Sequence, residues 1–221
     1  MLEYISNLGF FGWMEVFAMI VGFLYVLLQV KKSHYLWYMC IVASIINIFV
    51  YWHNSYLMML AIQFFYIGNA FYGLLQFRKV KKAAMEEYGS REEGDSDKVA
   101  IARFNWKVGG VASLIAVAAY FALVPLVKSY AFSHGAPAFL SLPYFDTFMG
   151  VGSMLGTFFL SRSYICQWYF WLLIDSLSVV IFAISGMYFM AALNVAYVVL
   201  AVYGARFWHK HGVYVDDKNL K

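Results

Sequence analysis

The sequence predicts an all-α integral membrane protein, with seven transmembrane helices arranged as two parallel three-helix repeats joined by a linker helix. Three observations carry that prediction. Of 221 residues, 63% are hydrophobic and 13% charged, against roughly 45–50% and 25% in soluble domains. Apolar runs recur along most of the chain, close to the roughly 20 residues that span about 30 Å of hydrocarbon. The stretch from Trp13 to Gly73 then repeats itself 131 residues later. In that register Glu15 falls on Asp146, Phe17 on Phe148, Leu24 on Leu155 and Lys31 on Arg162. Further along, Trp37-Tyr38 falls on Trp168-Tyr169, Ser44 on Asp175, Gln63 on Asn194, Tyr66 on Tyr197 and Tyr72-Gly73 on Tyr203-Gly204.

The runs place helices at about 10–30, 36–52, 56–77, 106–127, 143–160, 166–184 and 188–207. Residues 1–77 form the first repeat, 78–105 a charged linker, 106–127 the linker helix, 128–207 the second repeat and 208–221 a polar tail, in part disordered. The first run ends at Lys31-Lys32 rather than at a small-residue cleavage site, so it reads as a helix and not as a signal peptide. The fourth helix has no copy. An odd linker span returns the second repeat to the orientation of the first, so the repeats run parallel, as in the two-triple-helix sugar transporters, with the substrate site where the copies meet.

Charge supplies the orientation. With seven spans, 15 of the 16 Lys and Arg residues fall on one side and only Lys128 on the other. The positive-inside rule then puts the N-terminus outside and the C-terminus in the cytoplasm. A wrong number of spans would have mixed the two sides. The net charge of +4 follows from topology and does not argue for a nucleic-acid partner. The linker at 78–105, rich in Lys, Glu, Asp and Ser, reads as a solvated connection with a frayed helix; its basic start has the chemistry to touch anionic headgroups.

Ionisable and amide groups inside a span are costly, roughly 2.5–3.5 kcal/mol for an Asp near the helix centre, and are functional candidates by default. Trp168, Trp171, Asp175 and Ser178 are spaced three, four and three apart and share one face of the sixth helix. Two indoles and a carboxylate on one face suit a flat, cationic ring. For Trp168 a place in the interfacial aromatic belt is the alternative. The second helix carries Trp37, Cys40, Ser44 and Asn47 on the matching face, so the cavity is chemically one-sided. Helices three and seven add Gln63 and Asn194 with Tyr66 and Tyr197 one turn on, and Asn69 is a further amide; interhelical hydrogen bonding is the structural alternative for these amides. Gly73 and Gly204 on that stripe suit close helix approach, and the Gly152–Gly156 segment is a small-residue packing face. Glu15 and Asp146 lie in first turns, where a capping role competes with ligand contact.

Enzymatic chemistry finds no footing. The five histidines fall at span ends or in loops, which argues against paired haem or metal ligands in the bundle. The seventh helix has no lysine for a retinal Schiff base, and no zinc-protease, hydrolase or phosphate-loop motif is present. Cys40 and Cys166 make no metal or redox pattern and read as small apolar residues. No cofactor is expected.

Taken together, these residues resemble the PnuC family of bacterial vitamin transporters over nearly the whole chain. The resemblance rests on Gln63-Phe64-Phe65-Tyr66 with Asn69 and Tyr72-Gly73, on Tyr144-Phe145-Asp146, and on Arg162 ahead of Trp168-x-x-Trp171. Ser178-Val179-Val180, Gly186, Tyr188 and the Gly204–Trp208 exit complete it. It implies facilitated uptake of nicotinamide riboside through the bacterial inner membrane, a homotrimer, and trapping of the product by a cytoplasmic kinase. It also maps the family's ligand contacts onto Gln63, Trp168, Trp171, Asp175 and Asn194. Relatives of the fold carry thiamine, riboflavin or deoxynucleosides. The chain departs from the pattern at Asp175, where Asn is common, at Gln167, at Gln76 and at Asn194. Nicotinamide riboside and thiamine both hold a cationic ring that suits Asp175, and neutral riboflavin suits it less. A membrane binding protein without flux is the alternative from another class.

Overall fold

Helices form where the sequence places its apolar runs. In the computed structural model, which describes residues 10–53, 57–88, 98–133, 143–184 and 188–216, they are α1 (Phe10–Val30), α2 (Tyr35–His53), α3 (Leu57–Tyr88), α4 (Trp106–Ser133), α5 (Pro143–Ser161), α6 (Gln167–Ile184) and α7 (Tyr188–His211). Four carry windows long and apolar enough to cross a membrane: Tyr35–Trp52, Trp106–Ser129, Gln167–Ile184 and Ala191–His211. Small and hydroxylic residues dilute α5, and they do so because they face inward: Thr147 and Thr157 are buried and Gly152 packs on Ile174. Small side chains at helix contacts let membrane helices approach closely.

The packing order is α1–α2–α3–α5–α6–α7 and back to α1, with α4 laid against α5 outside that ring. On α4, Val111, Leu114, Ile115, Val117, Phe121 and Leu126 are exposed, as expected of a surface bathed by lipid tails.

The turns α1–α2 and α5–α6 are built alike. At the first, Lys32 N–H donates to Gln29 O and Ser33 N–H to Leu28 O, both at 3.0 Å. At the second, Ser163 N–H donates to Leu160 O at 2.8 Å and Tyr164 N–H to Phe159 O at 2.9 Å. This is the paired closure of a Schellman motif, whose left-handed residue is usually Gly. Here Lys32 (φ 46°) and Ser163 (φ 61°) hold that place, at a cost on the order of 1–3 kcal/mol each.

What holds both residues there is a two-stranded parallel sheet that the sequence pattern does not announce. Strand β1 (Val99–Ala102) lies in the expected linker and β2 (Gly212–Val215) in the expected tail, paired from Val99↔Gly212 to Ala102↔Val215. The Lys32 amine donates to Ala100 O, and Ser163 O accepts from Ala102 N–H at 3.2 Å. Trp208 Nε1–H donates to Val30 O at 2.9 Å. Ile101 and Trp208 are fully buried in a core that also contains Trp37 and Trp168. The described parts of the expected linker, residues 78–88 and 98–105, are thus more than a solvated connection: α3 continues to Tyr88 because Val80, Ala83 and Ala84 bury themselves on the strands. In the expected tail, Gly212–Val215 is a strand held by the same pairing.

Candidate substrate site

On α6 the predicted face is present, and each of its members has different surroundings. Trp168 is 1% exposed. Its indole lies flush on Gly204 of α7, where an added β-carbon would come within 2.4 Å of the ring, and it meets Trp208 edge-on at 5.7 Å. Trp37 sits on Gly73 of α3 in the same way, again at 2.4 Å. The two glycines therefore admit an indole, a closer approach than the helix-on-helix packing expected of them. Among the described residues the Trp168 and Trp171 indole nitrogens are buried without a hydrogen-bond partner.

Trp171, one turn on, is half-buried and faces α5, where a β-carbon at Gly156 would lie 3.5 Å from its ring. Asp175 is 9% exposed and has no ion pair with a Lys or Arg among the described residues. A buried carboxylate without a cation is costly, and its electrostatic neighbour here is the Tyr197 phenol of α7. Ser178 is buried, its hydroxyl donating back to Ile174 O at 2.8 Å.

The remaining candidates line neighbouring helices. Asn69 of α3 donates to Thr157 O of α5 at 3.0 Å, joining the two helices. Tyr66 reaches the Ser153 and Thr157 hydroxyls of α5. Tyr197 reaches α1, where a β-carbon at Gly22 would lie 3.6 Å from its hydroxyl. Gln63 is buried on α3, while Asn194 on α7 and Asn47 on α2 are half-buried. The structure brings Asp175 and Tyr197 together, and Tyr66 and Asn69 converge on α5. The side chains of Glu15 and Asp146 lie outside the described residues.

Sequence reasoning missed the polar contacts at the end of the ring nearest the sheet. Gln29 Nε2–H donates to Gln167 Oε1 at 2.7 Å, buried between α1 and α6. Arg162 donates to the Tyr72 hydroxyl at 3.0 Å, bridging the α5–α6 turn to α3. Gln29 carries no signal in the repeat, because its counterpart 131 residues on is Leu160. Burial pushes the Cys166 thiol, just before α6, up to about 12, consistent with an inert, apolar role.

The sequence pattern of the family described as Nicotinamide mononucleotide transporter matches residues 12–210. The chain belongs to that family. It is a family of transporters, not of enzymes, and its members work within a membrane. The chain is similar to the nicotinamide riboside transporter PnuC of Escherichia coli K12, 34% identical over 68 residues, which are 31% of this chain and 28% of that protein. The same figures hold for the PnuC of Shigella flexneri. The aligned stretch thus spans little more than a quarter of those relatives' length. The crystal structure of a vitamin B3 transporter PnuC superposes with a TM-score of 0.60 at 18% identity, covering 95% of this chain and 85% of that one. At that identity the likeness shows the fold.

Proposed function

We propose that this member of the nicotinamide mononucleotide transporter family is a facilitative carrier that takes up nicotinamide riboside by alternating access. The observation that carries the reading is the α6 face: an indole, Trp171, one turn from a buried carboxylate, Asp175, with no basic partner among the described residues. A positively charged pyridinium ring answers both groups, stacking on the indole and neutralising the acid. The same acid argues for the riboside over the mononucleotide. A phosphate carries about −1.5 to −2 charges, and the basic side chains at the two turns are engaged elsewhere, Lys32 by Ala100 O and Arg162 by Tyr72. Thiamine, whose thiazolium is also cationic, is the second reading that Asp175 favours.

In this proposal the ring of helices is two parallel three-helix repeats, α1–α3 and α5–α7, with α4 as the linker, and the site lies between them. Asn47, Gln63, Tyr66, Asn69, Trp168, Trp171, Asp175, Ser178, Asn194 and Tyr197 supply its walls. Trp168 acts through packing, holding the start of α6 on Gly204, while Trp171 meets the ring. The N-terminus faces outward and the turns under the sheet face the cytoplasm, in the bacterial inner membrane. The working unit is a homotrimer, and a cytoplasmic kinase phosphorylates the product so that it does not return.

Proteoliposomes loaded with a nicotinamide riboside kinase and ATP test this reading. Labelled nicotinamide riboside is expected to accumulate as the mononucleotide well beyond equilibration, and without kinase only to equilibrate. Saturable binding with no entry into the lumen would instead support a binding protein.

A further inference from the structure

The 131-residue register brings out a second asymmetry, in α1 and α5 rather than in α6. Tyr66 and Tyr197 occupy matched positions, and each reaches across to the first helix of the other repeat. Tyr66 finds the Ser153 and Thr157 hydroxyls. Tyr197 finds Gly22, the counterpart of Ser153, and the residue of α1 in register with Thr157 is the apolar Val26. One phenol is therefore held by protein hydroxyls, while the matching place beside the other offers none.

Side-chain volumes are exchanged in the same register. Tyr25 on α1 lies beside Cys40 and Tyr66; its counterpart is Gly156, which lies against Trp171, the counterpart of Cys40. The first half of the site is filled by a phenol from α1 next to a small thiol on α2. In the second half the large ring is on α6 and the small residue on α5. Protein–protein hydrogen bonds close one half, and a carboxylate, a phenol and an indole line the other.

We infer that Gly22 is a specificity-determining residue: by withholding a hydroxyl from Tyr197, it leaves that phenol to hydrogen-bond a hydroxyl of the substrate's sugar, whereas Tyr66 on the opposite wall is already met by protein hydroxyls. The inference rests on the transport reading above. Its chemistry follows from the substrate's connectivity. In a ribosyl pyridinium the charged nitrogen bears the sugar directly, so a cation held at Asp175 carries its sugar hydroxyls toward Tyr197, the carboxylate's neighbour. Gly22 tolerates a small side chain, since the added β-carbon would sit 3.6 Å from the Tyr197 hydroxyl, an ordinary contact. A serine there would offer Tyr197 the partner that Ser153 gives Tyr66.

Calorimetry on purified parent, Gly22→Ser and Gly22→Ala tests this, with nicotinamide riboside and the sugarless cation 1-methylnicotinamide as ligands. Gly22→Ser is expected to lose roughly five- to tenfold in affinity for the riboside, the worth of one neutral hydrogen bond, and to keep its affinity for 1-methylnicotinamide. Gly22→Ala, which adds the carbon without the hydroxyl, is expected to bind both like the parent. Equal losses in Gly22→Ser and Gly22→Ala, equal losses for both ligands, or no loss in Gly22→Ser would each overturn the assignment. A folded parent that binds neither cation would remove the transport reading itself, and the inference with it.

Discussion

The two turns under the sheet and the two helix faces that follow them are matched in register, yet they have diverged to very different degrees. Residues 28–37 and 159–168 share a hydrogen-bond ladder: the Schellman closure, a left-handed third residue, and the bonds from Leu36 to Ser33 and from Gln167 to Tyr164. Each turn then delivers a tryptophan onto a glycine. One helical turn later the likeness ends, with Cys40 and Ser44 on α2 against Trp171 and Asp175 on α6. The geometry that packs the tryptophans is kept, and the residues of the proposed site on α6 differ from their counterparts on α2. At these positions shared geometry belongs to packing and unmatched chemistry to the proposed site.

That division can be broken at four places. The largest effect is expected at the shared glycines. Gly73→Ala and Gly204→Ala each drive a methyl into an indole, an overpacking that costs about 1–3 kcal/mol or more. Both should lower thermal stability in detergent by similar amounts; a loss confined to one would show that the scaffold is not shared. Next comes Trp171→Ala, expected to weaken nicotinamide riboside binding by about 1–2 kcal/mol, the worth of a desolvated cation–π contact, with oligomer size unchanged. Cys40→Ala, at the matched position, should leave calorimetric affinity where it was. A comparable loss there would assign binding to both halves.

Asp175→Asn keeps the size and hydrogen-bonding capacity of the side chain but removes its charge. Affinity for a cationic vitamin should fall by about tenfold, or roughly 1.4 kcal/mol, with little change for a neutral analogue; an unaltered ratio of the two affinities would take Asp175 out of the site. The smallest effect lies in the turns themselves. Burial holds the Lys32 amine down at about 7 from its ordinary 10.5, although the Phe77 and Trp208 rings, at 5.8 and 5.7 Å, favour its charged form. The unfolded chain then binds more protons between those two values, so stability should rise with pH above about 7 and be flat below it. Measured against Lys32→Met, the gain from pH 7 to 8 should be about 1 kcal/mol at most, and a gain on acidification would contradict the assignment.

Much of this architecture is legible in the sequence. Hydropathy locates seven helices to within a few residues at most ends, and the spacing of Trp168, Trp171, Asp175 and Ser178 puts them on one face. The strands are not legible, since Val99–Ala102 and Gly212–Val215 are four residues each and pair across four intervening helices. Each also sits in a polar neighbourhood that reads as solvated. The end of α3 escapes for a related reason. A membrane-length criterion stops near Arg78, whereas Val80 and Ala84 continue the helix by packing on strands that have no signature of their own. Trp168 stands out as a candidate contact, but its close seat on Gly204 depends on the distance between two helices, which no single-sequence pattern encodes.

The order in which the sheet's strands are made has a consequence for biogenesis. When Val99–Ala102 leaves the ribosome, its partner Gly212–Val215 is still four helices away, and the backbone groups of Ala100 and Ala102 that meet the two turns already exist. Parallel pairing waits until α7 has been inserted, because α7 leads directly into β2. The sheet is thus a late-closing clasp. Until it shuts, Ile101 and Trp208 lack the burial they have in the finished protein, and the left-handed Lys32 and Ser163 lack the strand bonds that hold them.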